Sequence, residues 1–334
     1  MAVKMDQGNA NGIVSRSSPN CYLCGAYGNI LYRDMVDRHF GASGKWNLVK
    51  CFNPQCGLLW LNPMPLEDEI GKAYQNYFTH DSRVGCSQRN GIMWNTAWST
   101  YRILLRLTGI GPERGRRKRM YLDGIPPGRL LDVGCGSGQF LALMRSEGWE
   151  VEGQDVDLRA AETAFKTYGI GVRVGRLEAV GYSDDTFDAV TMSHVIEHIN
   201  DPIGILKECR RILKPGGMLV LVTPNAESFG HKYFKSCYRD LDPPRHLYLF
   251  TQNTLQHVGK KAGFTNCRVQ TAALDIVYDV AIGSLDIRHD GYHVMGADPK
   301  INRSIKAMLF HLLSRIFFIL DKKSGEECIL RATK

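Results

Sequence analysis

The sequence predicts an α/β protein, a parallel sheet with helices on both faces, preceded by a small cysteine-bearing module. Three observations predict it. Between residues 129 and 274, strand-like runs alternate with helical patterns, the order that builds parallel sheets. The first strand of that series ends in Gly134, Gly136 and Gly138. Four of the 10 cysteines fall into two close pairs, Cys21/Cys24 and Cys51/Cys56, well ahead of the sheet.

Composition narrows the function classes. Apolar residues make up 44% and charged residues 23% of the 334 positions, values of a globular chain that exclude wholesale disorder or a fibre. The net charge of +8 suits an anionic ligand, a membrane surface or nucleic acid without choosing among them. The first 20 residues are polar and rich in Gly, Asn and Ser, so they read as a flexible tail and not as a signal peptide. No run of about 18 apolar residues marks a membrane span. These readings place the chain in the cytoplasm, where paired thiols point to metal before disulfides.

Residues 21–63 form the cysteine module. The spacings Cys21-x2-Cys24 and Cys51-x4-Cys56, followed by Gly25 and Gly57, have the form of a zinc ribbon: two turns, each offering two thiolates to one structural zinc. Such a metal compensates for a core too small to hold about 40 residues by itself. Residues 64–123 read as a helical linker or cap. Trp94, Trp98, Tyr101 and Leu105 share one helix face. Behind them comes a basic run, Arg114 and Arg116 to Arg119, whose bland reading is a solvated face.

The strands of the main domain, 124–334, are expected at 129–133, 150–155, 172–175, 189–193, 218–223 and 268–274, with a last one at 326–332. Helices are expected at 140–146, 202–213, 251–262 and 301–320. The residues Lys214-Pro-Gly-Gly217 stop the second of these. The irregular, aromatic and basic stretch 224–250 reads as a lid over a substrate, and 276–321 as a helical insertion before the last strand.

Residues 130–140, Leu-Leu-Asp-Val-Gly-Cys-Gly-Ser-Gly-Gln-Phe, carry the strongest signal. A buried strand runs into a glycine turn and then a helix, whose N-terminus offers unpaired N–H groups. Asp155 follows at the end of the next strand, where an acid accepts hydrogen bonds from a ribose diol. Together they indicate a nucleoside-containing cofactor. The spacing is G-x-G-x-G, and Asp132 precedes the turn. An acid there repels a pyrophosphate and welcomes a cationic sulfonium with its ammonium group, which favours S-adenosylmethionine over a dinucleotide.

Residues 130–140, Asp155, 187–190, 194–202 and 213–217 together resemble class I S-adenosylmethionine-dependent methyltransferases, over roughly residues 120–275 and again at 326–334. The resemblance implies a Rossmann-like, seven-stranded sheet whose last strand inserts antiparallel. Carried over by position, Asp132, Gly134, Gly136 and Gly138 would line the methionine part of the cofactor and Asp155 its ribose. Cys135, Val156, Leu177 and Ser193 complete the expected cofactor-binding set. Where an acid often meets the adenine, this chain has Arg176, so a backbone or Leu177 contact is expected. Residues 51–77 resemble the N-terminal module of bacterial methyltransferases acting on sugars and other small metabolites.

His194, Glu197 and His198 lie just past the fourth strand, and His246 sits in the irregular stretch. Three readings stand side by side. His198 or His246 is a general base, these groups hold a metal, or Glu197 and His198 orient the loop by hydrogen bonds. Some relatives carry Glu-x-x-Glu-His here, and this chain has His194 for the first Glu. The expected function is methyl transfer to a hydroxyl of a glycan or small metabolite. The alternatives are a zinc-module methyltransferase of rRNA or other nucleic acid, a nucleotide-sugar C-methyltransferase, and a catalytically idle binding module. Thr223-Pro-Asn225 stands where many amino-group methyltransferases carry Asn/Asp-Pro-Pro-aromatic, which speaks against exocyclic-amine chemistry. In helix 301–320, Ile305, Met308, Leu309, Leu312, Leu313, Ile316, Phe317 and Leu320 are expected to pack on the domain. Phe310, Phe318 and Ile319 lie off that stripe, which leaves two partners open, a second copy of the chain or a membrane surface.

Overall fold

The computed structural model describes residues 12–74 and 92–334. The chain begins with β1 (Ser15–Arg16), β2 (Gly28–Met35), β3 (Trp46–Cys51), β4 (Leu59–Asn62) and β5 (Met64–Pro65). β2, β3 and β4 form an antiparallel meander, while β1 pairs with β5. The indole N–H of Trp60 donates to the Ser18 carbonyl at 2.7 Å. Residues 12–20, expected within the tail, are therefore part of this module. A 3-10 turn, Ile70–Tyr74, follows β5; Tyr77, at the end of the 51–77 segment, lies outside the described residues.

Two helices lead into the sheet, α1 (Ile92–Leu107) and α2 (Ile110–Lys118). In the basic run, Arg114 pairs with Asp275, Arg116 with Asp123, Arg117 with Glu327 and Arg119 with Glu147. Most of this charge is already neutralised by the protein's own carboxylates.

The main domain alternates as its sequence periodicity demands: β6 (Arg129–Val133), α3 (Gln139–Ser146), β7 (Glu150–Asp155), α4 (Leu158–Tyr168), β8 (Val172–Val174), β9 (Phe187–Ser193), α5 (Pro202–Ile212), β10 (Leu213–Pro224). Local chemistry starts the helices. Asp157 caps α4 by accepting from the Arg159 N–H, and Asp201 caps α5 ahead of Pro202. Then come α6 (Phe229–Phe234), β11 (Tyr248–Leu249), α7 (Gln252–Lys261), β12 (Thr265–Ala272), α8 (Ile276–Asp290), α9 (Ile301–Leu320) and β13 (Glu327–Thr333). The seven-stranded sheet has the order β12-β13-β10-β9-β6-β7-β8. β13 is antiparallel to both its neighbours, the arrangement expected of the methyltransferase fold. The order reverses between β6 and β9, and a crevice opens at such a switch point beyond the carboxyl ends of the strands.

Stretch 224–250 departs from the expected lid. β11 adds to the module sheet, giving β11-β4-β3-β2. Leu61 N–H donates to the Leu247 carbonyl at 3.0 Å, and Leu247 N–H to the Glu197 carbonyl at 2.8 Å. Arg245 is wholly buried and forks onto Asp37 of the module at 2.7 and 2.8 Å. Trp46, Leu48 and Trp60 share one apolar core with Leu247, Phe250, Leu131 and Val190. The stretch is thus a seam between module and sheet. Its aromatics are mostly core: Phe234, Tyr238, Tyr248 and Phe250 are buried, and Trp94 and Trp98 pack on the α8–α9 side.

α9 has the expected bounds, and Met308 is buried as expected, but most of the expected stripe faces outward. Its buried side carries Arg303, Ser304, Ala307, Met308, Phe310, His311, Ser314, Arg315 and Phe318. Ile305, Leu309, Leu313, Ile316, Phe317 and Leu320, expected to pack inward, are exposed. Apolar periodicity failed here because the inward side is chosen by polar partners, His311 with Tyr101 and Arg315 with Glu113.

Candidate functional site

The sheet brings both sequence-predicted clusters to its carboxyl edge. After β6, the N–H groups of Gly134 and Cys135 donate to the Gln154 carbonyl at 2.8 and 3.1 Å, folding the turn against β7. Gly134, Gly136 and Gly138 all have positive φ, at 70°, 53° and 77°. A Cβ at Gly134 would stand 2.4 Å from Val195, and at Gly138 2.9 Å from the Ala164 Cβ. At Gly136 a Cβ would meet nothing within 4 Å. The backbone there faces open space, a cradle for a ligand lying against the turn. Asp155 braces it, accepting from the Gly136 N–H at 2.8 Å and the Asp157 N–H at 2.9 Å.

Asp132 is buried and accepts from the Thr191 hydroxyl at 2.7 Å. Burial, aided by the charge of Asp155, pushes its carboxyl up to about 7, against the pull of Thr191 and Arg117. A buried carboxylate so poorly compensated is suited to a cationic ligand group. Val156 is exposed beside Asp155. Leu177 is buried in the core, and Arg176 pairs with Glu67. Cys135 is also buried, and Ser193 accepts from Arg117 at 3.1 Å. The turn, Asp132, Asp155 and Val156 fit the cofactor that the sequence suggests.

The other cluster lies at the ends of β9, β10 and β13. His194, with φ 54°, sits between two buried carboxylates, Glu327 Oε1 at 3.0 Å and Glu197 Oε1 at 3.3 Å. Burial opposes its charge, but these two acids win and push His194 up to about 10. Glu197, despite burial, is pulled down to about 2 by His194, His198 and His246. Glu327 is held well below the carboxylate range by Arg117 and His194 against its burial. Arg117 grips Glu327 at 2.9 and 3.1 Å. Neither Arg117 nor Glu327 was singled out as a site residue from the sequence. Their contact spans 210 positions, and no local spacing announces it.

His198 and His246 are brought together, with ring centroids 4.8 Å apart. His198 Nδ1 donates to the Arg245 carbonyl at 3.0 Å and has the Tyr74 hydroxyl at 3.1 Å. His246 Nδ1 donates to the Asp240 carbonyl at 2.7 Å. The backbone acceptors hold the Nδ1 proton of each ring, so in the neutral imidazole the lone pair lies on Nε2. Burial, followed by the nearby His246, pushes His198 below its ordinary value. One ligand atom each from Glu197, His198 and His246 lie within 4.8 Å of one another, near enough to share a cation; His194, also expected in that set, is not part of it.

The four module cysteines also converge, all within 4.8 Å, with Sγ separations of 3.6 Å for Cys21–Cys56 and 3.4 Å for Cys24–Cys51. A tetrahedral zinc with Zn–S near 2.3 Å separates its sulfurs by about 3.8 Å, so this set fits the ion.

Residues 110–269 match a family model described as a methyltransferase domain. Over 110 residues the chain is 32% identical to a ubiquinone biosynthesis O-methyltransferase of Parvibaculum lavamentivorans, covering 31% of this chain and 44% of that protein. Over 156 residues it is 30% identical to a ubiquinone/menaquinone biosynthesis C-methyltransferase of Geotalea daltonii, covering 42% and 66%. The chain thus spans less than two thirds of these relatives. Among solved structures, a Haemonchus contortus phosphoethanolamine N-methyltransferase in complex with S-adenosyl-L-methionine superposes with a TM-score of 0.47 at 17% identity, covering 91% of this chain and 71% of that one.

Proposed function

We propose that this chain, whose residues 110–269 carry a methyltransferase domain, transfers a methyl group from S-adenosylmethionine to a hydroxyl of a small-molecule acceptor. The observation that carries the hydroxyl reading is the His198–His246 pair, two adjacent rings at the carboxyl edge of the sheet whose Nδ1 atoms are each held by a backbone carbonyl. The curated relatives named above act in quinone biosynthesis by name, which is consistent with a small acceptor. A glycan hydroxyl remains within the same chemistry. The RNA reading loses its main support, because four of the five cations in 114–119 are paired internally.

The cofactor supplies an electrophilic methyl on a sulfonium, and its leaving thioether needs no acid. Asp132, the Gly134–Gly136–Gly138 turn, Asp155, Val156 and Ser193 would hold it. The protein's remaining tasks are alignment and proton removal. Nε2 of His198 or His246, in its neutral form, would accept the proton of the acceptor hydroxyl. Glu197, ionised among the histidines, stabilises the imidazolium that results. His194, protonated up to about 10, is no base at neutral pH; it keeps Glu197 and Glu327 in place. A structural zinc on Cys21, Cys24, Cys51 and Cys56 would fix the module, and through Asp37 it would fix the Arg245–His246 segment.

The test is titration calorimetry with S-adenosylmethionine, then methyl transfer from labelled cofactor to a panel of phenolic, sugar and amine acceptors. Binding, transfer to hydroxyls and a loss of about 10²–10⁴ in rate for His198→Ala or His246→Ala support the reading. Transfer confined to amines, or undiminished in both variants, defeats it.

A further inference from the structure

α9 is a helix turned inside out. Its buried side is held by polar contacts. Arg303 forks onto Asp290 at 2.7 Å and also binds Asp286, His311 Nδ1 meets the Tyr101 hydroxyl at 2.8 Å, and Arg315 reaches Glu113 at 2.7 Å. Rotating the helix to bury its aliphatic side would strand these groups without partners, so the orientation is specified and not incidental. The outward stripe contains Ile301, Ile305, Leu309, Leu313, Ile316 and Leu320, each between 44% and 79% exposed. Their spacing of three and four places them in one row along a 20-residue helix, about 30 Å long. α1 packs against α9 through Tyr101 and leaves Ile103, Leu104 and Leu107 exposed as well. A contiguous apolar surface of this extent marks a docking site.

The charges around it choose the occupant. Neither α1 nor α9 contains an Asp or a Glu. Arg102, Arg106 and Lys306 are exposed on the two helices and have no acidic partner among the described residues. Lys322 and Lys323 follow α9 after Asp321, Lys322 lying 4.3 Å over the Phe318 ring, while Asp298 lies exposed ahead of its first turn. An apolar row rimmed by cations complements an anionic lipid surface, whereas a two-fold contact between copies would bring these cations face to face. No described helix is long and apolar enough to cross a membrane, and Arg303 and Arg315 tie α9 to the domain.

We propose that α9, flanked by α1, docks the protein on the surface of an anionic lipid bilayer, lying in the interface with its aliphatic row inward. Phe317 stacks on Phe229 at 4.4 Å, and Phe229 opens α6 just beyond β10, so the docked face adjoins the carboxyl edge of the sheet.

The experiment is co-sedimentation of the full chain with phosphatidylcholine vesicles, with or without about 30 mol% phosphatidylglycerol. Expected are binding to the anionic vesicles only, release at high salt, and binding at least about tenfold weaker in both Leu309→Glu/Leu313→Glu and Arg102→Glu/Arg106→Glu. Both double variants alter exposed positions, and an unchanged thermal melt shows that they fold. No binding to anionic vesicles overturns the proposal, as does binding unaffected by both variants. A dimer in sedimentation velocity that Leu309→Glu/Leu313→Glu dissociates, without vesicle binding by the wild type, assigns the face to a second copy instead.

Discussion

The two halves of the sheet's carboxyl edge are built by different means. Around β6 and β7 the scaffold is backbone. Two N–H groups fold the turn onto the Gln154 carbonyl, and Asp155 binds the Gly136 N–H, all within about twenty positions of sequence. Around β9, β10 and β13 the scaffold is charge: Arg117, His194, Glu197 and Glu327 in one chain of ion pairs, and Asp37, Asp242 and Arg245 in another. The first half can form as soon as one strand–turn–helix–strand unit folds. The second requires the module, α2, the 224–250 seam and the last strand all in place. The charged half is therefore the part exposed to damage from a distance.

Metal removal should give the largest effect and separate the halves. Stripping zinc, or Cys51→Ser, removes a stabilisation on the order of 10 kcal/mol from a zinc-dependent fold. Asp37 then no longer pins Arg245. Expected are one zinc per chain in the native protein, loss of transfer on chelation, and cofactor affinity retained within about twofold, as for distant sites. Cofactor binding lost in step with zinc would erase the distinction between the halves.

Within the charged half, Glu327→Gln leaves Arg117 and His194 without their shared carboxylate. Breaking a buried pair in this way costs roughly 3–5 kcal/mol, readable as a lower urea midpoint. Gly136→Ala is the converse case. It places an alanine at φ 53°, costs only about 1–2 kcal/mol, and weakens cofactor binding because its Cβ projects into the cradle. Equal loss of stability in the two variants would contradict the contrast.

Asp132 sharpens the comparison from the other side. Its folded value, about 7, lies above the unfolded one of 3.8. Its contribution to stability is full below the unfolded value and disappears as pH rises through about 7. A cationic ligand reverses that preference by favouring the ionised form. Cofactor affinity should weaken by up to about tenfold per pH unit below 7 and level off above it. In Asp132→Asn the pH dependence should vanish together with most of the affinity. Calorimetry between pH 5.5 and 8.5 measures both, and a flat profile in the native protein would remove Asp132 from the site.

How far the sequence carried each region follows from the same physics. Period-two and period-3.6 patterns placed β6, β7 and α9 almost to the residue, and the glycines with Asp155 marked the tight turn after β6, because those features are local. The pairing of His198 with His246 is set by β11 joining the module sheet, and no spacing between positions 198 and 246 encodes that. Arg117 looked like one member of a solvated basic run until its partner Glu327 came into place. α9 misled for a related reason. Its apolar row predicts burial only when no polar partner competes for the other side, and Asp286, Glu113 and Tyr101 all do.

The smallest expected effect concerns pH and the choice of base. Burial and the proximity of His246 hold His198 below its ordinary 6.5, and its Nδ1 proton is fixed on the Arg245 carbonyl. A base of that kind is already neutral at pH 7. At saturating cofactor and acceptor, the turnover rate should change by less than about twofold between pH 7 and 8.5, then fall toward acid below 6.5. His194 predicts a different curve. Its value near 10, set by Glu197 and Glu327 against its burial, would make the rate climb about tenfold per pH unit through this range. A rate profile over pH 5.5–9 distinguishes the two, provided the step is shown to be chemical by an equal rate in a single turnover. A continuous rise would transfer the base from the His198–His246 pair to His194 and leave the pair a structural role beside Glu197.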